Sequence, residues 1–264
     1  MAYDFKGKRV LVTGASAGIG EALALGFAER GATVGICARR ADRLATVLEK
    51  LQAQSPASTS WTIDLADLDA VDSFAAVVVK EFGGLDVLVN NAGIPKRRSV
   101  VALDVATIDA VNRINYLSPI HLTLALLPAL IESHGEVINI SSVAARLSPP
   151  AEAAYAATKA AITAFSESMF VDLAVANLDV GVHVVNPGVF DTELFTLPDN
   201  DDFSAPVDML PVSDIVEPVL SLLGTDTFER YVPEWFGDVV GAKFPDTTKY
   251  LQGNIAWVKQ NQSA

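Results

Sequence analysis

Arg9-Val10-Leu11-Val12-Thr13-Gly14-Ala15-Ser16-Ala17-Gly18-Ile19-Gly20 is the stretch that decides the fold. Val10 to Thr13 form a short apolar, β-branched run, the pattern of a buried strand. Gly20 leads directly into Glu21-Ala22-Leu23-Ala24-Leu25-Gly26-Phe27-Ala28, a helix-forming run. The chain therefore passes from strand through glycines to helix. Gly14 takes backbone angles that a side chain would forbid. Gly18 and Gly20 let the backbone approach a pyrophosphate and let the helix pack on the strand. The helix N-terminus offers unbonded N–H groups and partial positive charge to phosphate oxygens. The spacing is Gly-x-x-x-Gly-x-Gly rather than Gly-x-Gly-x-x-Gly. An ordinary turn with incidental glycines is the competing reading, and the flanking strand and helix count against it.

Outward from this turn, strand and helix patterns alternate. Strands are predicted at 10–12, 33–37, 60–63, 87–89, 137–140, 182–185 and 230–232, and helices at 19–30, 43–54, 68–82, 105–131, 152–176 and 212–223. Such alternation predicts an α/β fold, a doubly wound parallel sheet of about seven strands with helices on both faces. With no repeat, low-complexity tract or linker, residues 1–264 read as a single domain. Ligands of such sheets bind beyond the carboxyl ends of the strands. Gly14, Ala38, Asp64, Asn90, Ser142 and Pro187 each come just after a predicted strand, so the sequence gathers them at one edge.

A second signal is Tyr155-Ala156-Ala157-Thr158-Lys159. Positions i and i+4 share a helix face. A tyrosine has an ordinary pKa of about 10, and a nearby cation favours the phenolate. The pair is a candidate proton-transfer device, in which Lys159 is expected to lower the pKa of Tyr155.

Together these segments resemble the short-chain dehydrogenase/reductase family over nearly the whole chain, fading beyond about Thr192. Thr13 to Gly20 is similar to its cofactor turn, and Asn90-Asn91-Ala92-Gly93 to its motif after the fourth strand. Asn115, Ser142, Tyr155 and Lys159 fall at its four catalytic positions, with thirteen residues from Ser142 to Tyr155. Ser141 is the rival serine, and the family spacing favours Ser142. Asn186-Pro187-Gly188, with Thr192, resembles the segment that holds a nicotinamide. The resemblance implies a Rossmann fold and hydride transfer between a nicotinamide cofactor and a carbonyl. Tyr155 would supply the proton and Ser142 a hydrogen bond, Lys159 would also hold the ribose, and Asn115 would fix a water leading to solvent. The implied cofactor contacts are Gly14, Ser16, Gly18, Ile19 and Gly20 in the turn, Asn91, Ala92 and Gly93 after the fourth strand, then Tyr155, Lys159, Pro187, Gly188 and Thr192. Asp64 and Leu65 lie at the adenine position, where Asp64 also reads as a turn or cap residue.

The second strand ends Ile36-Cys37-Ala38-Arg39-Arg40. An acid there would accept from the ribose hydroxyls and repel a 2′-phosphate. Ala38 stands in its place, and the guanidinium groups of Arg39 and Arg40 match a phosphate, so NADP(H) is expected over NAD(H). Ala17, where many NADP-binding relatives carry a basic residue, departs from that pattern. A solvated pair is the competing reading of the two arginines.

The resemblance implies that the region 193–211 forms a substrate lid. Its Leu194, Phe195, Leu197, Phe203, Met209 and Leu210 either line a pocket for a lipophilic ketone or alcohol or pack the lid down, while Asp199, Asp201, Asp202 and Asp208 read as a solvated face. Lys96-Arg97-Arg98 reads as a solvated loop, with attraction of an anionic tail or acyl carrier as the alternative. The aromatic-rich segment from about 233 to 264 either covers the site or seals a subunit interface. His121, His134 and His183 lack metal-ligand spacing, so no metal is expected.

Lys plus Arg number 19 and Asp plus Glu 32, a net charge of −13, which disfavours nucleic acid and anionic membranes as partners. Cys37 is the single cysteine, so no intrachain disulfide forms. The N-terminal residues lack a signal pattern and no uninterrupted apolar stretch reaches about 18 residues, from which a cytoplasmic protein is expected. The partners expected are a small-molecule substrate and, from the resemblance, further copies of the chain in a homodimer or homotetramer. The leading reading is an NADP(H)-dependent carbonyl reductase or alcohol dehydrogenase. The alternatives are a 3-oxoacyl thioester reductase of lipid metabolism and a non-catalytic NADP(H)-sensing protein.

Overall fold

Parallel pairing of Val10 with Val34 on one side and with Val87 on the other makes the first strand an interior strand of the sheet. In the computed structural model, which describes residues 3–197, 200–201 and 207–262, the strands are β1 (Arg9–Thr13), β2 (Thr33–Ala38), β3 (Thr59–Thr62), β4 (Val87–Asn90), β5 (Glu136–Ile140), β6 (Gly181–Pro187) and β7 (Glu229–Val232). They lie in the order β3-β2-β1-β4-β5-β6-β7. The order reverses between β1 and β4, and at such a switch point the loops splay apart and leave a crevice. This is the doubly wound fold that the alternation of patterns predicted.

Successive side chains of a strand point to opposite faces. Val10 and Val12 accordingly enter one core with Leu23, Phe27 and Ile36, whereas Leu11 enters the other with Val71, Leu88, Leu122 and Val137. Full burial of each such side chain is worth about 1.5–3 kcal/mol. Cys37 lies in the second core, where burial pushes its thiol up to about 12. It is a structural residue, not a reactive one.

The helices are α1 (Gly18–Glu29), α2 (Ala41–Gln52), α3 (Leu68–Phe82), α4 (Val105–Asn112), α5 (Ser118–Ser133), α6 (Ala144–Leu147), α7 (Ala153–Val175), α8 (Val216–Leu220), α9 (Phe236–Lys243) and α10 (Thr247–Gln262). Asp67 caps α3 by accepting from Ala70 N, and Asp104 caps α4 by accepting from Thr107 N. The helix predicted at 105–131 is α4 and α5 joined by a π-helical segment, Arg113–Leu117. By length and composition the run Val105–Ser133 is long and apolar enough to cross a membrane. In this fold its parts pack on α3 and α7.

Sequence patterning missed α9 and α10. Along α10 only the narrow stripe of Tyr250, Asn254 and Val258 is half-buried, too little for a periodic apolar signal. In the expected lid, Leu210 pairs with Phe190 and Glu193–Phe195 form a 3-10 turn. Asp199, Asp202 and Phe203 lie outside the described residues.

Candidate active site

The glycine turn is held by the loop after β4. Gly14 has φ +67, and a Cβ there would come 2.7 Å from Ala92 Cα, so only glycine lets the two loops touch. The Thr13 hydroxyl donates to Val89 O and accepts from the N–H groups of Asn91 and Ala92. Asn91 returns a bond from Nδ2 to Thr13 O at 2.9 Å. Asn90 reaches the other way and donates to Asn139 Oδ1 and Thr123 Oγ1. The Asn90–Gly93 segment is thus a polar stitch across β1, β4 and β5, which satisfies groups that the ends of the strands leave without partners. Unlike α3 and α4, α1 starts after Ala17 without a side-chain cap, so its first-turn N–H groups face the turn unclaimed.

The two serines after β5 divide their roles. Ser141 Oγ is buried and bonded to Lys159 O and Thr163 Oγ1, so it serves α7. Ser142 Oγ accepts from Ala144 N at 3.1 Å beside the start of α6 and favours ionisation of the Tyr155 phenol. Lys159, 5% exposed, donates from Nζ to Ile140 O at 2.7 Å and stands 5.7 Å from the Tyr155 ring centroid.

In this structure other groups dominate the Tyr155 phenol, while Lys159 is turned to Ile140 O. Burial pushes the phenol well above its usual range, and the Glu152 carboxylate adds to that rise. The Ser142 hydrogen bond and the Arg97 charge oppose it. Burial also brings Lys159 itself down to about 8.

Asn115 lies in the π-helical segment, behind the cavity wall. Its Oδ1 accepts from Ile94 N at 2.8 Å, and its Nδ2 donates to Ile94 O and to Thr158 Oγ1. The side chain therefore holds the loop after Gly93 against α7, and its amide is engaged with protein groups rather than turned toward solvent.

One cavity of about 780 Å³ runs across these loops. At one end are Ala38, Arg39, Arg40, Asp64 and Leu65, beside the turn residues Gly14, Ser16, Gly18 and Ile19. Asn91, Ala92 and Gly93 form a wall with Pro187, Gly188 and Thr192, and Ser142, Tyr155 and Lys159 stand at the far end. Of the site residues named from sequence, only Gly20 and Asn115 are set back from it; Gly20 packs against Gly14 O and the Asn91 amide. Asp64 accepts from Ala66 N in its turn while also lining the cavity. Arg40 donates to Ser16 Oγ and pairs with Glu193 at 2.9 Å, and Arg43 pairs with the other oxygen of Glu193. Arg39 is exposed on the rim, with no such carboxylate among the described residues.

Sequence reasoning misplaced the basic loop. Arg97 is 1% exposed, lines the cavity and lies 3.6 Å from Glu152, itself 8% exposed. Its Nη2 donates to Leu194 O and its guanidinium covers the Phe195 ring. Arg98 and the N–H of Ser99 hold Asp201, so this acid is a docking group and not part of a solvated face. The loop and the acidic region after β6 neutralise each other, a pairing that no local pattern announces. Glu152, Ile94 and the α10 residues Tyr250, Asn254 and Trp257 are further lining residues not singled out from sequence. Tyr250 Oη donates to Leu147 O and seats α10 across the cavity, so the C-terminal segment covers the site.

These residues fit a nicotinamide dinucleotide: an uncapped helix start, a glycine turn that a Cβ would obstruct, and an elongated groove ending at a tyrosine and a lysine. Comparison with known proteins agrees. Residues 8–201 match the family model described as short chain dehydrogenase. A short chain dehydrogenase of Pseudocercospora fijiensis is 38% identical over 194 residues, covering 72% of this chain and 62% of the relative. Dehydrogenase/reductase SDR family member 7B of Bos taurus is 37% identical over 192 residues, covering 70% and 58%. The chain thus spans about three-fifths of the length of these curated relatives. Among solved structures, a Burkholderia phymatum short chain dehydrogenase/reductase in complex with NAD superposes with TM-score 0.84 at 21% identity, covering 93% of this chain and 95% of its own. An alcohol dehydrogenase from Thermococcus sibiricus complexed with 5-hydroxy-NADP superposes with TM-score 0.76 at 25% identity, covering 86% and 96%.

Proposed function

Because the chain belongs to the short-chain dehydrogenase/reductase family, we propose that it is an NADP(H)-dependent oxidoreductase that interconverts a lipophilic carbonyl compound and its secondary alcohol. The observation that carries this reading is a single cavity with the glycine turn and Arg39 at one end and Ser142, Tyr155 and Lys159 at the other. Gly14, Gly18 and the first turn of α1 would hold the cofactor's phosphates, and Lys159 its ribose. The bound nicotinamide supplies the hydride chemistry. Tyr155 would give its proton to the carbonyl oxygen as negative charge grows there. Ser142, lining the cavity with the phenol, would donate to the same oxygen. Asn115 keeps the loop after Gly93 in place against α7.

The NADP(H) preference is supported by Ala38 in place of an acid and by Arg39 on the adenosine rim. Ile94, Leu147, Leu194, Phe195 and Trp257 support a lipophilic substrate. The thioester-reductase alternative drew on the basic loop as a docking site for an anionic carrier, and Arg97 and Arg98 are instead engaged with the protein itself. A purely sensing role leaves the assembled Ser142, Tyr155 and Lys159 without a use. We also propose association of copies through the exposed apolar faces of α4, α5 and α7.

The test is cofactor oxidation across aldehydes, ketones, steroids and 3-oxoacyl thioesters, with NADPH and NADH in parallel. Turnover should favour NADPH in kcat/KM by about tenfold or more, equivalent to about 1.4 kcal/mol, and Arg39→Asp should reverse the preference. Tyr155→Phe should lower kcat about 10²–10⁴-fold with cofactor binding retained. Equal use of both cofactors would remove the NADP(H) assignment, and near-normal turnover by Tyr155→Phe would remove the mechanism.

A further inference from the structure

Glu152 occupies the N-cap position of α7, yet its side chain caps nothing. It turns into the cavity and meets Arg97 Nη1 at 3.6 Å. Glu152 stands three positions before Tyr155 at the start of α7, and both side chains line the same cavity. Arg97 is seated from several sides. Its N–H donates to Asn200 Oδ1 at 2.7 Å, its carbonyl accepts from Asp201 N at 3.0 Å, and Nη2 donates to Leu194 O at 3.1 Å. Two opposite charges are thus fixed in the wall of the cavity that Tyr155 also lines. Burying such a pair is costly, and neither charge is required by the proton transfer described above. A phenolate forming beside them is repelled by one and attracted by the other.

The other polar groups around Tyr155 act differently. Ser142, from the loop after β5, lines the same cavity and accepts from Ala144 N, but carries no charge. Lys159, one turn further along α7, is turned to Ile140 O. Tyr250 of α10 bonds Leu147 O. Glu193 lines the same cavity but is bound by Arg40 and Arg43.

We propose that Glu152 and Arg97 are positioning residues that set, with opposite sign, the readiness of Tyr155 to give up its proton: Glu152 holds the proton on and Arg97 loosens it. This rests on Tyr155 being the acid-base group of the proposed reaction. Both charges sit in the wall of the cavity that Tyr155 lines, where a carboxylate disfavours a forming phenolate and a guanidinium favours it, in keeping with the direction of their influence on the phenol. Because Arg97 is seated by Leu194, Asn200 and Asp201, the segment after β6 governs that balance as well as covering substrate.

The test is the pH profile of kcat/KM for alcohol oxidation, in which the deprotonated tyrosine is the active form. Glu152→Gln should move the midpoint to lower pH and Arg97→Met to higher pH, each by about half a unit or more, because each removes one of the two opposed charges. Glu152→Asp should restore the wild-type midpoint. A second reading needs neither substrate nor the Arg97 variant: absorbance titration of the phenolate in wild type and Glu152→Gln, with Tyr155→Phe subtracted to assign the transition. That titration should show the same acid shift, so it separates failure of this inference from failure to find a substrate. Midpoints moving the same way in Glu152→Gln and Arg97→Met, or an unmoved phenolate in Glu152→Gln, would overturn the proposal and leave the pair a structural prop.

Discussion

Lys159 shows what one buried charge costs. Its ammonium is nearly inaccessible, its hydrogen bond goes to a neutral carbonyl, and burial alone accounts for its fall from 10.5 to about 8. Proton counts give the sign of the linkage. Between about 8 and 10.5 the unfolded chain binds more protons than the folded one, so stability rises with pH across that window. Below it the folded state carries the full penalty, on the order of 3 kcal/mol at 1.36 kcal/mol per unit. Lys159→Met should therefore lose activity yet gain up to about 3 kcal/mol of stability at pH 7, and the gain should shrink toward pH 10.5. Urea unfolding at several pH values checks this, and a pH-independent difference would contradict the account. The same residue shows where sequence reading stopped. The i, i+4 spacing put Tyr155 and Lys159 on one helix face, as found, but which neutral or charged group each would meet depends on Ile140, Glu152 and Arg97, brought in from elsewhere in the chain.

At the scale of elements, the strands were legible because a parallel strand buried on both faces must be an apolar, β-branched run, as Val10–Thr13, Val87–Val89 and Val182–Val185 are. The π-helical segment was not, since Arg113-Ile114-Asn115-Tyr116-Leu117 has nothing unhelical in composition; the two bonds of Asn115 to Ile94 and one to Thr158 belong to a register that only tertiary packing supplies. The burial of Arg97 was hidden for the same reason, its partners being Glu152, Leu194 and Asn200. A further pairing escaped sequence at the sheet edge opposite the cavity. His183 on β6 meets Glu136 of β5 at 2.7 Å through Nε2, and through Nδ1 it donates to Thr227 O before β7. Glu136 also accepts from Gly224 N, so this pair ties three successive strands and the loop after α8. His183→Leu should cost about 1–3 kcal/mol, the penalty for leaving buried polar partners unsatisfied. Glu136→Gln/His183→Leu together should cost less than the single histidine variant. Denaturant midpoints of the wild type and the two variants decide this, and a double variant that loses more than the single one would show that the two side chains act independently.

At the scale of the whole molecule, net charge and surface apolarity pull against each other. A charge of −13 makes identical copies repel. Yet α7 leaves Val171 and Val175 exposed, the latter 77%, with Phe170 beside them, and the α4–α5 run leaves Val105, Ile108 and Leu124 exposed. These faces belong to the two longest helical runs, which the sheet needs on their inner sides only. A stable interface buries about 1,200–2,000 Å² in total, and two long helices per copy give room for one. Association driven by apolar burial against like-charge repulsion should strengthen as salt shortens the Debye length from about 30 Å at 0.01 M to about 10 Å at 0.1 M; ion-pair-driven association would weaken. Light scattering should therefore find a dimer or tetramer that tightens with added salt. Val171→Glu/Val175→Glu should shift it to monomer, with cofactor binding retained because neither residue lines the cavity. A wild-type monomer at every salt concentration would show instead that these valines are tolerated surface and that the acidic field keeps the copies apart.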